Sequence, residues 1–163
     1  MSSSLKNLSD FNHTNIPNGA GMRIALLVAE WNIKITGALR DGAIKILLNN
    51  GVVESDIVVK YVPGSFELST GAQFLCEDKS VDAVICLGCV IQGETRHFDF
   101  ICNAVANGVT NVSLKYNKPV IFGVLTPDTL QQAQDRAGGK HGNKGDEAAI
   151  TAIKMVHFKK GLR

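Results

Sequence analysis

From Met22 onward the chain alternates short, continuous apolar runs with longer stretches in which apolar positions recur every three or four residues. Runs of the first kind suit strands buried on both faces, and stretches of the second kind suit helices packed by one side. Residues 23–29 (RIALLVA) form the first predicted strand. Residues 36–50 then place Leu39, Ala43, Ile46 and Leu47 on one helical face, and Gly51 stands where a left-handed C-terminal cap belongs. A second strand, residues 57–62, is stopped by Pro63-Gly64 and followed by a helix over about residues 66–77. A third, residues 83–90, leads through Ile91-Gln92-Gly93-Glu94 into a long helix over about residues 95–115. The fourth strand is residues 119–125, and Thr126-Pro127-Asp128 offers a hydroxyl cap and a first-turn proline for the next helix. A glycine- and lysine-rich loop, residues 138–145, precedes a last helix over about residues 146–159. Strands alternating with helices in this way predict an α/β fold, a three-layer α/β/α sandwich on a four-stranded parallel sheet. Residues 1–21 are polar and without period, and are expected as an N-terminal arm ahead of one domain, residues 22–163.

Composition narrows the setting. The chain has 163 residues, 45% of them hydrophobic, and a net charge of +2 from 17 basic and 15 acidic side chains. Charges spread without runs leave no footprint for a nucleic-acid or anionic-membrane partner, so any bound anion must be held locally. No apolar stretch approaches the ~20 residues that span a bilayer, and the polar start lacks the apolar core of a signal peptide, so a cytoplasmic location is expected. There the four cysteines, Cys76, Cys86, Cys89 and Cys102, read as buried free thiols. A monomer of this mass exposes roughly 7,900 Å² by size scaling, a large area for so apolar a chain to solvate, and an oligomer would resolve that.

Several spacings invite assignments that fail on placement. Cys86-Leu87-Gly88-Cys89 has redox spacing but lies within a strand, where positions three apart point to opposite faces. Zinc held by Cys86, Cys89, His97 and Cys102 meets the same objection. The loop at residues 138–145 follows a helix rather than a strand, which rules out a Walker-type phosphate loop, and Gly19-Ala20-Gly21 precedes the first strand instead of following it. The acceptor patterns at Asn12 and Asn111 carry no meaning without secretion.

Ligands of open α/β sheets bind beyond the carboxyl ends of the strands, so the residues just past each strand are the informative ones. Trp31, the single tryptophan, reads either as a packing residue or as a flat stacking surface for a heteroaromatic ring. Ser65, Phe66 and Glu67 put a hydroxyl, an aromatic ring and a carboxylate at a tight turn; Glu67 either favours the helix dipole or accepts from vicinal hydroxyls. Gly93-Glu94-Thr95-Arg96-His97 supplies helix N-terminal amides suited to phosphate and an imidazole suited to proton transfer, against the alternative of a solvated histidine. Arg136 and Lys144 add cations that are either solvated or brought to a ligand by the glycines around them.

Three stretches carry a family resemblance: Val62-Pro63-Gly64-Ser65-Phe66-Glu67-Leu68, the run from Gly88 through Gly93-Glu94-Thr95-Arg96-His97 to Phe98, and the run from Arg136 to Gly145. In this order they resemble the signatures of the 6,7-dimethyl-8-ribityllumazine synthases, over about residues 22–155. The resemblance implies a flavodoxin-like fold and the penultimate step of riboflavin synthesis. That step condenses 5-amino-6-(D-ribitylamino)uracil with 3,4-dihydroxy-2-butanone 4-phosphate, releasing phosphate and water, with no cofactor and no metal. It further implies that Trp31 stacks on the pyrimidine, with Asn32 helping to shape the turn. Ser65, Phe66 and Glu67 would hold the ribityl chain, and Val90 and Ile91 would line the pyrimidine pocket. Glu94 and Thr95 would bind phosphate opposite Arg136, His97 would shuttle protons, and Phe122 and Lys144 would close the pocket.

Within the family the pocket lies between adjacent subunits of a pentamer, so the resemblance implies that Phe122, Arg136 and Lys144 come from a neighbour. Family members form pentamers or shells of sixty subunits built from twelve pentamers. The short loop between the last two helices favours the shell, and a riboflavin synthase enclosed in it is the implied protein partner. Trp31 stands where many members carry phenylalanine, which preserves stacking. Two other functions stand beside the synthase. A flavodoxin-like signalling module wants an acidic cluster at the ends of the first and third strands, where Glu30 is alone. A shell protein that binds ribityl-type ligands without turnover predicts the loss of His97, Arg136 or Lys144, and all three are present.

Overall fold

The computed structural model describes residues 16–162. Residues 1–15, and with them most of the expected arm and the Asn12 pattern, lie outside the described residues. The described chain runs β1 (Ile24–Ala29), α1 (Ile33–Asn49), β2 (Ile57–Val62), α2 (Leu68–Glu77), β3 (Ala83–Cys89), α3 (His97–Tyr116), β4 (Val120–Leu125), α4 (Leu130–Asp135), β5 (Ala137–Gly139), β6 (Gly142–Asn143) and α5 (Lys144–Lys160), with one 3-10 turn at Glu54–Asp56. The first four strands make one parallel sheet in the order β2-β1-β3-β4, with Ile24 opposite both Ile57 and Ala83, and Cys86 opposite Phe122. The expected three-layer α/β/α sandwich on a four-stranded parallel sheet is what forms.

Strand alternation sorts the core into two layers. Ile24, Leu26 and Val28 of β1 point to one face and pack with Leu39, Ala43 and Leu47 of α1 and with Ala149, Ile150 and Ile153 of α5. Ala25 and Leu27 point to the other face, against Leu68 and Ala72 of α2 and Val105 and Val109 of α3. All six residues of β1 and all seven of β3 are buried, as a strand covered on both faces requires. Cys89 belongs to the first layer and Cys86 to the second, so the thiols with redox spacing face opposite sides of the sheet.

Gly145 sets the approach of α5 to α1, because a Cβ there would sit 1.9 Å from the Leu39 carbonyl oxygen. Gly51 follows α1 with φ 91, the left-handed position expected of it. Ahead of β1, Ile16 packs against the first core layer and the Gly19 amide donates to the Asn50 carbonyl at 2.7 Å, which pins residues 16–22 to the end of α1.

The elements differ from the sequence reading in several places, and four of the differences have a plain local reason. Helix α1 starts at Ile33 rather than Thr36, because Thr36 is buried and its hydroxyl donates to the Ala29 carbonyl at 2.8 Å instead of capping. Helix α4 starts at Leu130 rather than at Thr126: Thr129 is its cap, accepting from the Gln132 amide at 3.2 Å, while Pro127 accepts from the Gln92 amide at 3.0 Å and is held in the loop. The stretch at residues 138–145 contains a small antiparallel hairpin, β5 with β6, tied at its base by the Lys144 amide to the Arg136 carbonyl at 2.9 Å. Helix α5 consequently starts at Lys144, capped by Asn143, whose Oδ1 accepts from the Gly145 amide at 2.8 Å.

Candidate active site

Parallel strands all end on the same side, and the segments leaving β1, β2 and β3 build a cleft there. Main-chain bonds hold those segments beyond the strands: the Glu30 amide donates to the Val62 carbonyl at 2.9 Å and the Trp31 amide to the Pro63 carbonyl at 3.1 Å. On the other side of β3, the Val90 amide donates to the Leu125 carbonyl at 2.8 Å. The floor and walls are therefore backbone-fixed, while the side chains stay open to a ligand.

The cleft encloses about 790 Å³, and Trp31, Ser65, Phe66, Glu67, Val90, Ile91 and His97 all line it. That volume suits a substrate the size of a substituted pyrimidine. Trp31 is 73% exposed, so its indole is available for stacking and does not serve the core. Ser65 is only 7% exposed, and its Oγ is buried with no hydrogen-bond partner. A buried hydroxyl left without a partner costs free energy, which a ligand hydroxyl entering the cleft would recover. Glu67 caps the start of α2 by its backbone and leaves its carboxylate exposed at the rim.

Helix α3 begins at His97 with no side-chain cap on its Arg96 N-cap position, and Thr95 Oγ1 accepts only a long 3.4 Å bond from the His97 amide. Amides at such an end, together with the helix dipole, attract an anion. Glu94 and Thr95 lie exposed in the loop that leads there and do not line the cleft itself.

The other three expected residues are elsewhere. Phe122 lies in the middle of the edge strand β4, 37% exposed. Arg136 ends α4 and Lys144 starts α5, side by side at the base of the hairpin. Lys144 Nζ pairs with Glu147 at 2.7 Å. None of the three lines the cleft of its own chain.

Sequence reasoning missed Ile101 and Cys89 as cleft residues. Ile101 stands four residues beyond His97 on α3, one turn along the same face, and that spacing is the signal that would have found it. Cys89 ends β3, and burial pushes its thiol up to about 11, so it stays protonated and unreactive near neutral pH. Among the described residues no group of three or more His, Cys, Asp and Glu side chains is arranged to hold a metal ion, and no helix is long and apolar enough to cross a membrane.

Comparison with known proteins meets this geometry along the whole length of the domain. The family model for 6,7-dimethyl-8-ribityllumazine synthase matches residues 21–160. The chain belongs to the 6,7-dimethyl-8-ribityllumazine synthase family. A lumazine synthase of Cytophaga hutchinsonii is 64% identical over 96% of this chain and 98% of its own. Those of Parabacteroides distasonis and Flavobacterium johnsoniae are 54% and 48% identical, over 97% and 98% of this chain and 99% and 84% of theirs. Membership makes the protein an enzyme, a transferase at the penultimate step of riboflavin biosynthesis.

Proposed function

We propose that the cleft condenses 5-amino-6-(D-ribitylamino)uracil with 3,4-dihydroxy-2-butanone 4-phosphate, and that a second copy of the chain completes it. The observation that carries this reading is the meeting of an open indole, a buried hydroxyl without a partner, a carboxylate and an imidazole in one 790 Å³ cleft. Each answers one part of the substrates. Trp31 stacks on the pyrimidine, whose edge runs along the backbone of Val90 and Ile91. Ser65, Phe66 and Glu67 take the ribityl chain, with Glu67 accepting from its hydroxyls. Glu94 and Thr95, at the uncapped start of α3, take the phosphate.

His97 then moves protons. As the 5-amino nitrogen adds to the ketone, the imidazole accepts the proton that nitrogen sheds and returns it to the departing hydroxyl, which leaves as water. The carbon between the imine and the phosphate-bearing carbon then loses its proton, and that electron pair expels phosphate with the electrons of its carbon–oxygen bond; the enol left behind becomes a ketone, and the ribityl-bearing nitrogen adds to that carbonyl, whose oxygen leaves as a second water as the second ring closes. Amine and ketone already react in water, so holding them together supplies much of the acceleration, about 7–11 kcal/mol where alignment is good. The scheme draws on no cofactor.

Phe122, Arg136 and Lys144 serve the cleft of a neighbouring copy, Arg136 facing the phosphate and Phe122 with Lys144 covering the ring. Apolar surface supports such an assembly: Phe74 on α2, and Phe100 and Leu114 on α3, stand 64%, 69% and 76% exposed, more than a lone domain needs to leave in water. The copies form a pentamer, and the short hairpin between α4 and α5 favours a sixty-subunit shell of twelve pentamers, working in the cytoplasm and able to enclose riboflavin synthase. Mixing the purified protein with both substrates and following lumazine fluorescence alongside phosphate release tests the central reading. Turnover above the spontaneous reaction, with one phosphate per lumazine, supports it; no excess over the spontaneous rate overturns it.

A further inference from the structure

Among the described residues only two that are not glycine have positive φ, Asn32 at φ 60 and Asn117 at φ 47. Asn117 ends α3, where a left-handed residue is the ordinary way to stop a helix. Asn32 is different, because it precedes α1. A residue there normally has extended backbone and turns its side chain onto the helix amides. Asn32 does neither: it is left-handed, at φ 60 and ψ 41, and makes no side-chain cap. Its amide leaves its own helix and donates from Nδ2 to the Cys89 carbonyl at 3.0 Å, across 57 residues of sequence.

The sheet explains what that bond does. Past the strands, β2 and β1 stay joined by main-chain bonds from Glu30 and Trp31, and β3 and β4 by those from Val90 and Gln92. The register between β1 and β3 ends at Val28 opposite Leu87. Beyond that pair a side-chain amide takes the place of a backbone amide and carries the seam as far as Cys89. Trp31 is thereby held on one side by its own amide bond to Pro63 and on the other by its neighbour Asn32. Its indole is 73% exposed, so packing within the chain does little to fix it, and the backbone beneath decides where it stands.

We infer that Asn32 is a positioning residue: its left-handed backbone and its bond to the Cys89 carbonyl set the distance between the Trp31 indole and the Val90–Ile91 edge, the slot that takes the planar substrate. This rests on the proposed role of Trp31 as the stacking surface. An uncapped helix start and a left-handed non-glycine residue each cost stability, and both fall on a residue that bridges the two walls of the cleft.

Trp31 is the only tryptophan, so its fluorescence reports this position alone and needs no substrate. Asn32→Gly keeps the left-handed backbone and removes the tether. Asn32→Asp keeps the size and replaces the donor with a carboxylate facing a carbonyl. Asn32→Ala disfavours the backbone as well. In the assembled protein, Asn32→Gly and Asn32→Asp are expected to lower tryptophan anisotropy and to raise KM for the pyrimidine substrate about tenfold, while KM for the phosphate-bearing substrate moves less than twofold. Asn32→Ala should show the same split with the lowest melting temperature of the three. Unchanged anisotropy and unchanged KM in both Asn32→Gly and Asn32→Asp, with only a lowered melting temperature, would overturn the inference. If the unaltered protein made no lumazine, the anisotropy and pyrimidine binding by fluorescence quenching would still decide it.

Discussion

Two sets of residues carry the chemistry expected of this chain, and the fold treats them differently. Trp31, Ser65, Phe66, Glu67, Val90, Ile91 and His97 come from segments scattered along the sequence and meet in one cleft, because β1, β2 and β3 are parallel and end together. Phe122, Arg136 and Lys144 do not join them: one lies in the middle of an edge strand and the others at the base of a hairpin. Residues just past β1, β2 and β3 are delivered to the cleft by topology. Phe122 in mid-strand and Arg136 and Lys144 at the hairpin are not brought to the cleft of their own chain.

The strongest way to disturb the second set while leaving the first intact is Gly145→Ala. Its Cβ would meet the Leu39 carbonyl oxygen at 1.9 Å, so α5 and the attached Lys144 must move away from α1. A loss of about 3 kcal/mol or more in unfolding free energy is expected from urea titration, with Trp31 fluorescence of the folded fraction retained. Within the cleft, His97→Ala should lower kcat about a hundredfold with KM for either substrate nearly unchanged, because proximity survives the loss of proton transfer. Full retention of kcat would remove His97 from its role. Arg136→Ala should raise KM for the phosphate-bearing substrate about 10–100-fold, the worth of a charge-assisted bond to phosphate, and leave pyrimidine binding alone. An unchanged KM there would detach the second set from the site. Trp31→Ala should weaken pyrimidine binding about tenfold and Trp31→Phe far less, measured by quenching or competition.

The smallest expected effect concerns Cys89, between the two walls. Burial raises its thiol from the ordinary 9.0 to about 11, so the stability the neutral thiol lends is complete below pH 9 and is lost as pH climbs toward 11. A urea midpoint that falls across this window, and falls less in Cys89→Ala, would agree.

The same comparison explains what was legible in the sequence. Continuous apolar runs identified β1 and β3 without ambiguity, since every residue in them is buried. Several cleft residues were legible by position: Trp31 lies just past β1, Ser65 to Glu67 at the turn after β2, and His97 at the helix start that follows β3. The hairpin was not, because its strands are three and two residues long and rich in glycine, so backbone pairing forms it without a side-chain pattern. The start of α4 was misplaced because both Thr126 and Thr129 carry a capping hydroxyl, and only the contact of Pro127 with Gln92 decides between them. The Asn32 tether left no local trace at all, its partner being 57 residues away. Arg136 and Lys144 stood out only as cations near glycines, and Phe122, like Val90 and Ile91, entered through family resemblance alone.

Mixed assembly tests the shared site most directly. His97→Ala and Arg136→Ala chains, refolded together in equal amounts, place each damaged residue on a different copy. If one copy supplies the cleft and its neighbour supplies Arg136, about a quarter of the sites regain both residues, and with the phosphate-bearing substrate held well below its KM, where both variants are nearly inactive, activity should rise to about a quarter of that of the unaltered protein. Activity no higher than the mean of the two variants measured separately would contradict a site shared between copies.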